Sequence, residues 1–518
     1  MRTTDTLKTR RRMKDIKFEI SYGSFVTAAT VYLTLPVLIF FLGYLKIVPG
    51  ILFSALTLIS AYLFLKNKGT SDRKITIDLT YLLVIIPLIL LMVFIGGIGE
   101  FGFSMSDHSI RYAILNDLVE YKWPVVYDFS TQQNPAVSSV LGEGKAAFAY
   151  YFVYWMIPAV TGKLFGLTAA RVTLLLWTAA GLFIVSIGAC LMYGKASKSL
   201  FVGLMLFAGF DVIPYAVNNL MGVWSTWERW NAELIVVGNF YQLMNVFNQC
   251  IPGWIITLLL ILCVNGRGIG FLGSLMFCYS PWAAIGVLPM CVCKMIVNSD
   301  SRSFKGVMKT LLTPENLIPP AVFFIAFASL YTANSNATSE AGFTWTFYDS
   351  PLIFLRDYIL FVMIEFGIWF LLIRKRHSKD PMFLTAMATM LVLPFYKITY
   401  ANDFLMRGSM APMFLLSVYV AMFVTDHFYR SLNSRKFELL PRLVLLTLIL
   451  AAYTTLNLML YSSIMTVKIR VMGDTEDDIS HNIVSFGNIR KEDELEVIRT
   501  QFYVYDYEDT IFFKYLSK

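Results

Sequence analysis

Between residues 22 and 466 the chain is a succession of long apolar runs. They lie at about 22–44, 50–65, 76–95, 146–162, 168–192, 199–217, 251–264, 268–280, 282–297, 317–333, 351–373, 382–397, 409–427 and 441–466. No soluble core could hide that much apolar surface, whereas a bilayer accepts it, provided each backbone amide is satisfied within its own segment. Helices do this. The composition agrees: 57% of the 518 residues are hydrophobic, 15% are charged and the mean hydropathy is +0.61, a balance that excludes an ordinary globular domain. The net charge of +8 needs no nucleic-acid partner, because cations collect at cytoplasmic helix ends.

Charge parity sets the number of crossings. Basic clusters stand at Arg10–Lys17, Lys66–Lys74, Lys195 with Lys198, Lys294–Lys309, Arg374–Lys379 and Arg430–Lys436. With residues 1–21 as a cytoplasmic basic N-terminus, the first three runs place residues 96–167 outside. If all fourteen runs crossed, every later basic cluster would also be outside. Removing one crossing returns them to the cytoplasm. The run that fits removal is 146–162, which is short, carries Pro158 and is rich in the Tyr and Trp that favour membrane interfaces. The expectation is an all-α polytopic membrane protein with about thirteen transmembrane helices over residues 22–466. Residues 146–162 form a surface helix in a long outer loop, and Ser280-Pro281 marks an outer turn. The tail 467–518 holds 7 Lys+Arg against 11 Asp+Glu, a net of −4 that suits an extracytoplasmic cap. This places the chain in the cell (inner) membrane, N-terminus inside and C-terminus outside. The cysteines show no disulfide or metal-type spacing.

Chemistry concentrates in the first outer loop, GGIGEFGFSMSDHSIRYAILNDL, where Glu100, Asp107, His108 and Arg111 fall within a dozen positions. Apolar spacing predicts an amphipathic helix from about Ser109 to Tyr121, ended by Trp123-Pro124. Asp107 then stands at its N-terminus, either as a plain cap or as a carboxylate kept ionised to act as a base.

Four features resemble the GT-C superfamily of integral-membrane glycosyltransferases, which includes bacterial-type protein O-mannosyltransferases and the aminoarabinose transferases of lipid A. They are Asp107 in the first long outer loop, the surface helix 146–162, the segment GKLFGLTAAR, and Asp211 in FAGFDVIP closing the second span after the loop. The resemblance implies a transferase that takes a sugar from a polyprenyl-phosphate donor. It passes the sugar, with inversion, to a hydroxyl of a glycan, lipid or protein acceptor on the outer face, with the loop carboxylate as base. Many relatives carry Asp-Glu where this chain has Asp107-His108, so either residue is a candidate base. The resemblance fixes no cofactor and allows a divalent cation.

A departing phosphate needs positive charge. TYANDFLMRGS offers Asp403 and Arg407 four residues apart, with Lys397 nearby; the alternative is a plain Asp403–Arg407 ion pair. In WSTWERWNAEL, Trp224, Trp227 and Trp230 recur every third residue. They form either an interfacial belt or a sugar-stacking stripe with Glu228, Arg229 and Glu233 bonding hydroxyls. Glu365 is an intramembrane charge and hence a functional suspect. A transporter or flippase of lipid-linked glycans, or an O-antigen-type polymerase or ligase, would use related substrates. The first would string charges through the bilayer centre and the second would carry its catalytic loop late in the chain.

Overall fold

The computed structural model describes residues 16–131, 144–223, 225–299, 301–334, 340–399, 401–433, 439–473, 484–487 and 501–518. It is a helical bundle with three small antiparallel sheets at its two ends. Among the described residues, six helices are long and apolar enough to cross a membrane: Tyr22–Tyr44, Ile47–Asn67, Leu167–Tyr193, Asn239–Leu262, Met410–His427 and Arg442–Arg470. A seventh candidate is the pair Phe304–Leu311 and Pro314–Tyr331, bent by 58°. The other apolar runs form shorter helices, among them Leu79–Ile95, Ile269–Tyr279 and Pro281–Val297. Membrane character is thus plain, whereas length and hydropathy alone give six or seven spans, short of thirteen.

Polar caps decide where these helices start. Ser21 Oγ accepts the Ser24 amide at 3.1 Å, Asp78 Oδ1 that of Tyr81 at 2.7 Å, and Ser280 Oγ that of Ala283 at 3.3 Å. Each cap satisfies an amide that the first helical turn leaves orphaned. Ser280 begins the second helix of the hairpin where the Ser-Pro turn was expected. Asn239–Leu262 forms the bundle's centre, its most apolar stretch 94% buried, and it kinks at Val246.

Contacts sort the connections into two ends. At one end Lys17–Ser21 pairs with Lys74–Asp78, Asn67 donates to Glu315 at 3.0 Å, and Arg376 meets Asp426 at 2.6 Å. At the other end Val126–Asp128, Lys145–Phe148 and Tyr503–Val504 form a three-stranded sheet, and Ala341–Phe343 pairs with Tyr396–Ile398.

The sheet corrects the reading of 146–162 as one surface helix. Residues 145–148 are a strand, 153–155 a 3₁₀ turn, and only Met156–Phe165 is α-helical. Aromatic residues fit a pleated edge as readily as a helix face, and here two neighbouring strands supply the pairing.

The described part of the tail packs firmly. The Lys518 amide donates to Tyr44 O at 3.0 Å, the Lys46 amide to Leu516 O at 2.8 Å and Lys46 Nζ to Lys514 O at 2.7 Å. Buried Asp117 accepts from the Tyr127 hydroxyl at 2.8 Å, the Ser485 hydroxyl at 2.5 Å and the Phe486 amide at 2.9 Å, tying the tail to the first outer loop. Burial nonetheless raises its pKa from 3.8 to about 7. A carboxyl whose folded-state pKa stands above its unfolded value contributes its full stability below the unfolded value and loses it as pH rises through the folded one. Wild-type melting temperature should therefore fall between about pH 4 and pH 7, and Asp117→Asn should flatten that slope. Identical slopes in a thermal-shift series would remove Asp117 as the cause.

Candidate functional site

The turn Gly96–Gly102 is built on backbone that only glycine adopts cheaply. Gly97 and Gly99 have φ of 74° and 87°, and a Cβ on Gly97 would stand 2.4 Å from Phe103 O. Glu100, also left-handed at φ 65°, turns inward to a buried ion pair with Arg171 at 2.5 Å, while Arg470 donates to its backbone carbonyl at 3.1 Å. Glu100 therefore clamps the loop to two helices and does not face a ligand. Its partner Arg171 is the last residue of GKLFGLTAAR.

The next helix runs Ser106–Glu120, starting three residues before the expected Ser109. Met105 occupies the cap position without a side-chain bond, and Asp107 lies in the first turn. There the helix dipole favours its negative charge. The Asp107 carboxylate is 58% exposed and 3.5 Å from Arg111 Nη2, while the Arg111 guanidinium is buried with Nε unpartnered among the described residues. A long contact to an anchored cation holds a carboxylate in place yet leaves it accessible.

His108 is a different case. Its ring is fully buried, with Nε2 2.6 Å from Met244 O and Nδ1 3.3 Å from the Tyr112 hydroxyl. A carbonyl only accepts, so Nε2 carries the hydrogen. Burial lowers the pKa from 6.5 to about 3, keeping the ring neutral. The geometry removes His108 from the candidate bases and makes it a packing contact between two helices.

On the other side of the site, Asn402 caps the short helix Asp403–Gly408, which carries Arg407 on the face of Asp403. Arg407 Nη2 donates to Asp403 Oδ1 at 2.9 Å, and the guanidinium lies 5.7 Å from the Tyr151 ring centre. The pair expected from sequence forms, but it uses only part of the fork. Nε and Nη1 of Arg407 are buried without hydrogen-bond partners among the described residues. Unpaired buried donors are costly unless something occupies them. Close packing fixes this helix: a Cβ on Gly286 would fall 1.8 Å from Gly408 O, so no other residue lets the two backbones approach. Lys397, by contrast, is held by Glu233 at 2.6 Å and Glu340 at 3.5 Å and faces the Phe347 ring. Two carboxylates already neutralise it, so Lys397 leaves the phosphate-binding set and Glu233 leaves the sugar-binding set.

Tyr150 joins the two sides. Burial pushes its pKa up, and Arg407 and then Arg111 pull it back, so both guanidinium groups act on one hydroxyl. Tyr150, Tyr151, Asp403, Thr399 and Gln501 line a cavity of about 520 Å³. It continues into an apolar groove of about 720 Å³ between the helices Ile269–Tyr279, Pro281–Val297 and Pro314–Phe323. The two spaces share Phe277, Pro281, Trp282 and Phe324. Sequence reading passed over both tyrosines, as interfacial aromatics, and the groove entirely. Gly270 and Gly273 on its wall instead mark close helix packing: a Cβ on Gly270 would stand 2.4 Å from Asn316 O and one on Gly273 3.0 Å from Cys291 Sγ.

The segment after Leu220 is not a helix, so its tryptophans form no stripe. Trp224 lies outside the described residues. Thr226 and Arg229 close a tight turn by two backbone bonds of 3.0 and 3.2 Å. Trp227 packs edge-on against Tyr461, whereas Trp230 turns inward to donate to Glu365 Oε1 at 3.1 Å. Arg229 Nη2 donates to Ala232 O at 3.4 Å. Asp211 is buried next to Glu365: a Cβ on Gly209 would meet Glu365 Oε2 at 2.3 Å and Asp211 Oδ2 at 2.8 Å. The structure thus pairs Asp107 with Arg111 and Asp403 with Arg407, brings Arg111, Asp403 and Arg407 within electrostatic reach of Tyr150, and leaves Glu100, His108, Asp211, Glu233 and Lys397 as internal supports. Among the described residues no three His, Cys, Asp or Glu side chains are arranged to hold a metal ion. Comparison of the chain with protein-family models, with curated proteins and with solved structures gives no match.

Proposed function

We propose that this chain is a GT-C-type glycosyltransferase that moves a sugar from a polyprenyl-phosphate donor to an acceptor hydroxyl at the outer face of the cell membrane. One observation carries the reading. An apolar groove of about 720 Å³ shares four lining residues with a cavity bordered by Asp403, whose partner Arg407 keeps two guanidinium nitrogens without hydrogen-bond partners among the described residues. A planar fork suits a phosphate, and the groove suits the chain attached to it.

The chemistry follows from those positions. The acceptor oxygen attacks the anomeric carbon from the face opposite the phosphate, and the Asp107 carboxylate takes its proton. The bond from that carbon to the phosphate oxygen breaks with its electron pair going to the phosphate, whose growing charge Arg407 stabilises. Arg111 holds Asp107 in place. On this reading the six long apolar helices, the bent pair and shorter helices together make up thirteen crossings, with the sheet-bearing Tyr503–Val504 end outside.

Two measurements test this. Purified protein given a polyprenyl-phosphate sugar and candidate acceptors should release polyprenyl phosphate; absence of release with every acceptor, together with absence of donor binding, would end the proposal. In whole cells an impermeant maleimide should label Lys518→Cys directly and Lys74→Cys only after permeabilisation, and the reverse pattern would invert the site. The buried Asp211–Glu365 pair favours a second reading, a proton-coupled carrier of the same lipid, since intramembrane acids serve proton relays. Transport driven by a pH gradient in vesicles, without transfer, would select it.

A further inference from the structure

A second cavity of about 340 Å³ lies beside Asp107, lined by Met105, Trp227, Glu228, Tyr241, Tyr461 and Ser225 among others. From these walls we infer that it is a binding site for a neutral carbohydrate, the acceptor of the proposed transfer; the inference rests on that reading for the word acceptor alone. Flat aromatic faces from Trp227, Tyr241 and Tyr461 suit the apolar faces of a sugar ring. The tight turn at Thr226–Arg229 fixes Trp227 at the rim, and its edge-on contact with Tyr461 holds the ring plane.

Two polar side chains stand in the walls. Glu228 is 3% exposed; its Oε2 accepts the Gly238 amide at 2.7 Å, and its carboxyl group also bonds the Thr454 side chain. The Ser225 hydroxyl is buried and has no hydrogen-bond partner among the described residues. A carboxylate oxygen of this kind calls for an O–H or N–H donor, and a serine hydroxyl both gives and takes. No cationic side chain lines the cavity, which disfavours a phosphate or carboxylate ligand here. Hydroxyls in the plane of a ring with apolar faces satisfy both requirements at once. The position also suits an acceptor: the Tyr241 hydroxyl lies within electrostatic reach of Asp107, Arg111 and Glu228. The acceptor thus enters from one side of Asp107 and Arg111, and the donor from the Tyr150 side.

The test is saturation-transfer NMR on the detergent-purified full chain with the methyl glycosides of glucose, galactose, mannose and N-acetylglucosamine, and with choline as a cationic control. At least one glycoside should receive saturation, Trp227→Ala should weaken it by about tenfold or more, and Glu228→Gln and Ser225→Ala should weaken it severalfold. Lys74→Ala, an exposed residue at the other end of the bundle, should bind the same glycoside as wild type. Should Trp227→Ala not fold, Glu228→Gln and Ser225→Ala decide alone. Absence of transfer to all four glycosides, binding of choline in their place, or wild-type binding by the folded variants would overturn the inference. The donor-release measurement with lipid acceptors is independent of that outcome and tests the transferase itself.

Discussion

Replacing Asp107 by asparagine is expected to lower the rate of sugar transfer by about 10²- to 10⁴-fold, the range a positioned general base supplies. The variant should fold and insert normally. Asp107 is 58% exposed and makes no cap bond, and the asparagine side-chain oxygen can still accept from Arg111 Nη2 across the 3.5 Å contact. Asparagine keeps the shape and loses the basic lone pair. The loss should appear in kcat with donor affinity unchanged, which separates a missing base from a damaged site. Transfer at the wild-type rate from Asp107→Asn would exclude this carboxylate as base. His108 would not inherit the role, because its Nε2 is committed to Met244 O and its ring is sealed in the core.

The second large effect is expected at Arg407. Arg407→Ala removes the two unpartnered guanidinium nitrogens and strands Asp403, whose carboxylate is then partly buried without its cation. Truncating one partner of a buried charge pair costs about 2–5 kcal/mol, and the phosphate contact is lost as well. Donor affinity should fall by about a hundredfold or more, measured as binding of polyprenyl phosphate to the purified protein. Arg407→Lys should recover little, because a point charge cannot present two parallel donors to a phosphate while keeping Asp403 satisfied. The double variant Arg407→Ala with Asp403→Asn separates the contributions. If it regains the stability of wild type yet still fails to bind donor, the arginine acts on the ligand. If stability and affinity return together, Arg407 serves only as the partner of Asp403.

The fold's class was legible because each apolar run carries its own signal. Twenty residues of Leu, Ile, Val and Phe ask for a bilayer whatever surrounds them, and Ser or Asp before a run caps a helix by a bond within three residues, as at Ser21 and Asp78. The pair Asp403–Arg407 was legible for the same reason, since four residues on a helix set the geometry locally. What failed were inferences that needed a partner from elsewhere in the chain. Residues 146–162 read as a helix until Val126–Asp128 and Tyr503–Val504 supplied ladders for a strand. Lys397 read as a phosphate ligand until Glu233 and Glu340, far away in sequence, closed on it.

By itself, then, the sequence determined that the chain is helical and membrane-embedded and which loop carries an accessible acid. Only the tertiary structure decided which charges are spent on one another and which remain for a ligand. It paired Asp107 with Arg111 and Asp403 with Arg407, and buried His108 a single residue from Asp107. The physical reason is range. Hydropathy and capping act within a few residues, whereas the neutralisation of a buried charge depends on whatever distant side chain the packing brings within a few ångströms.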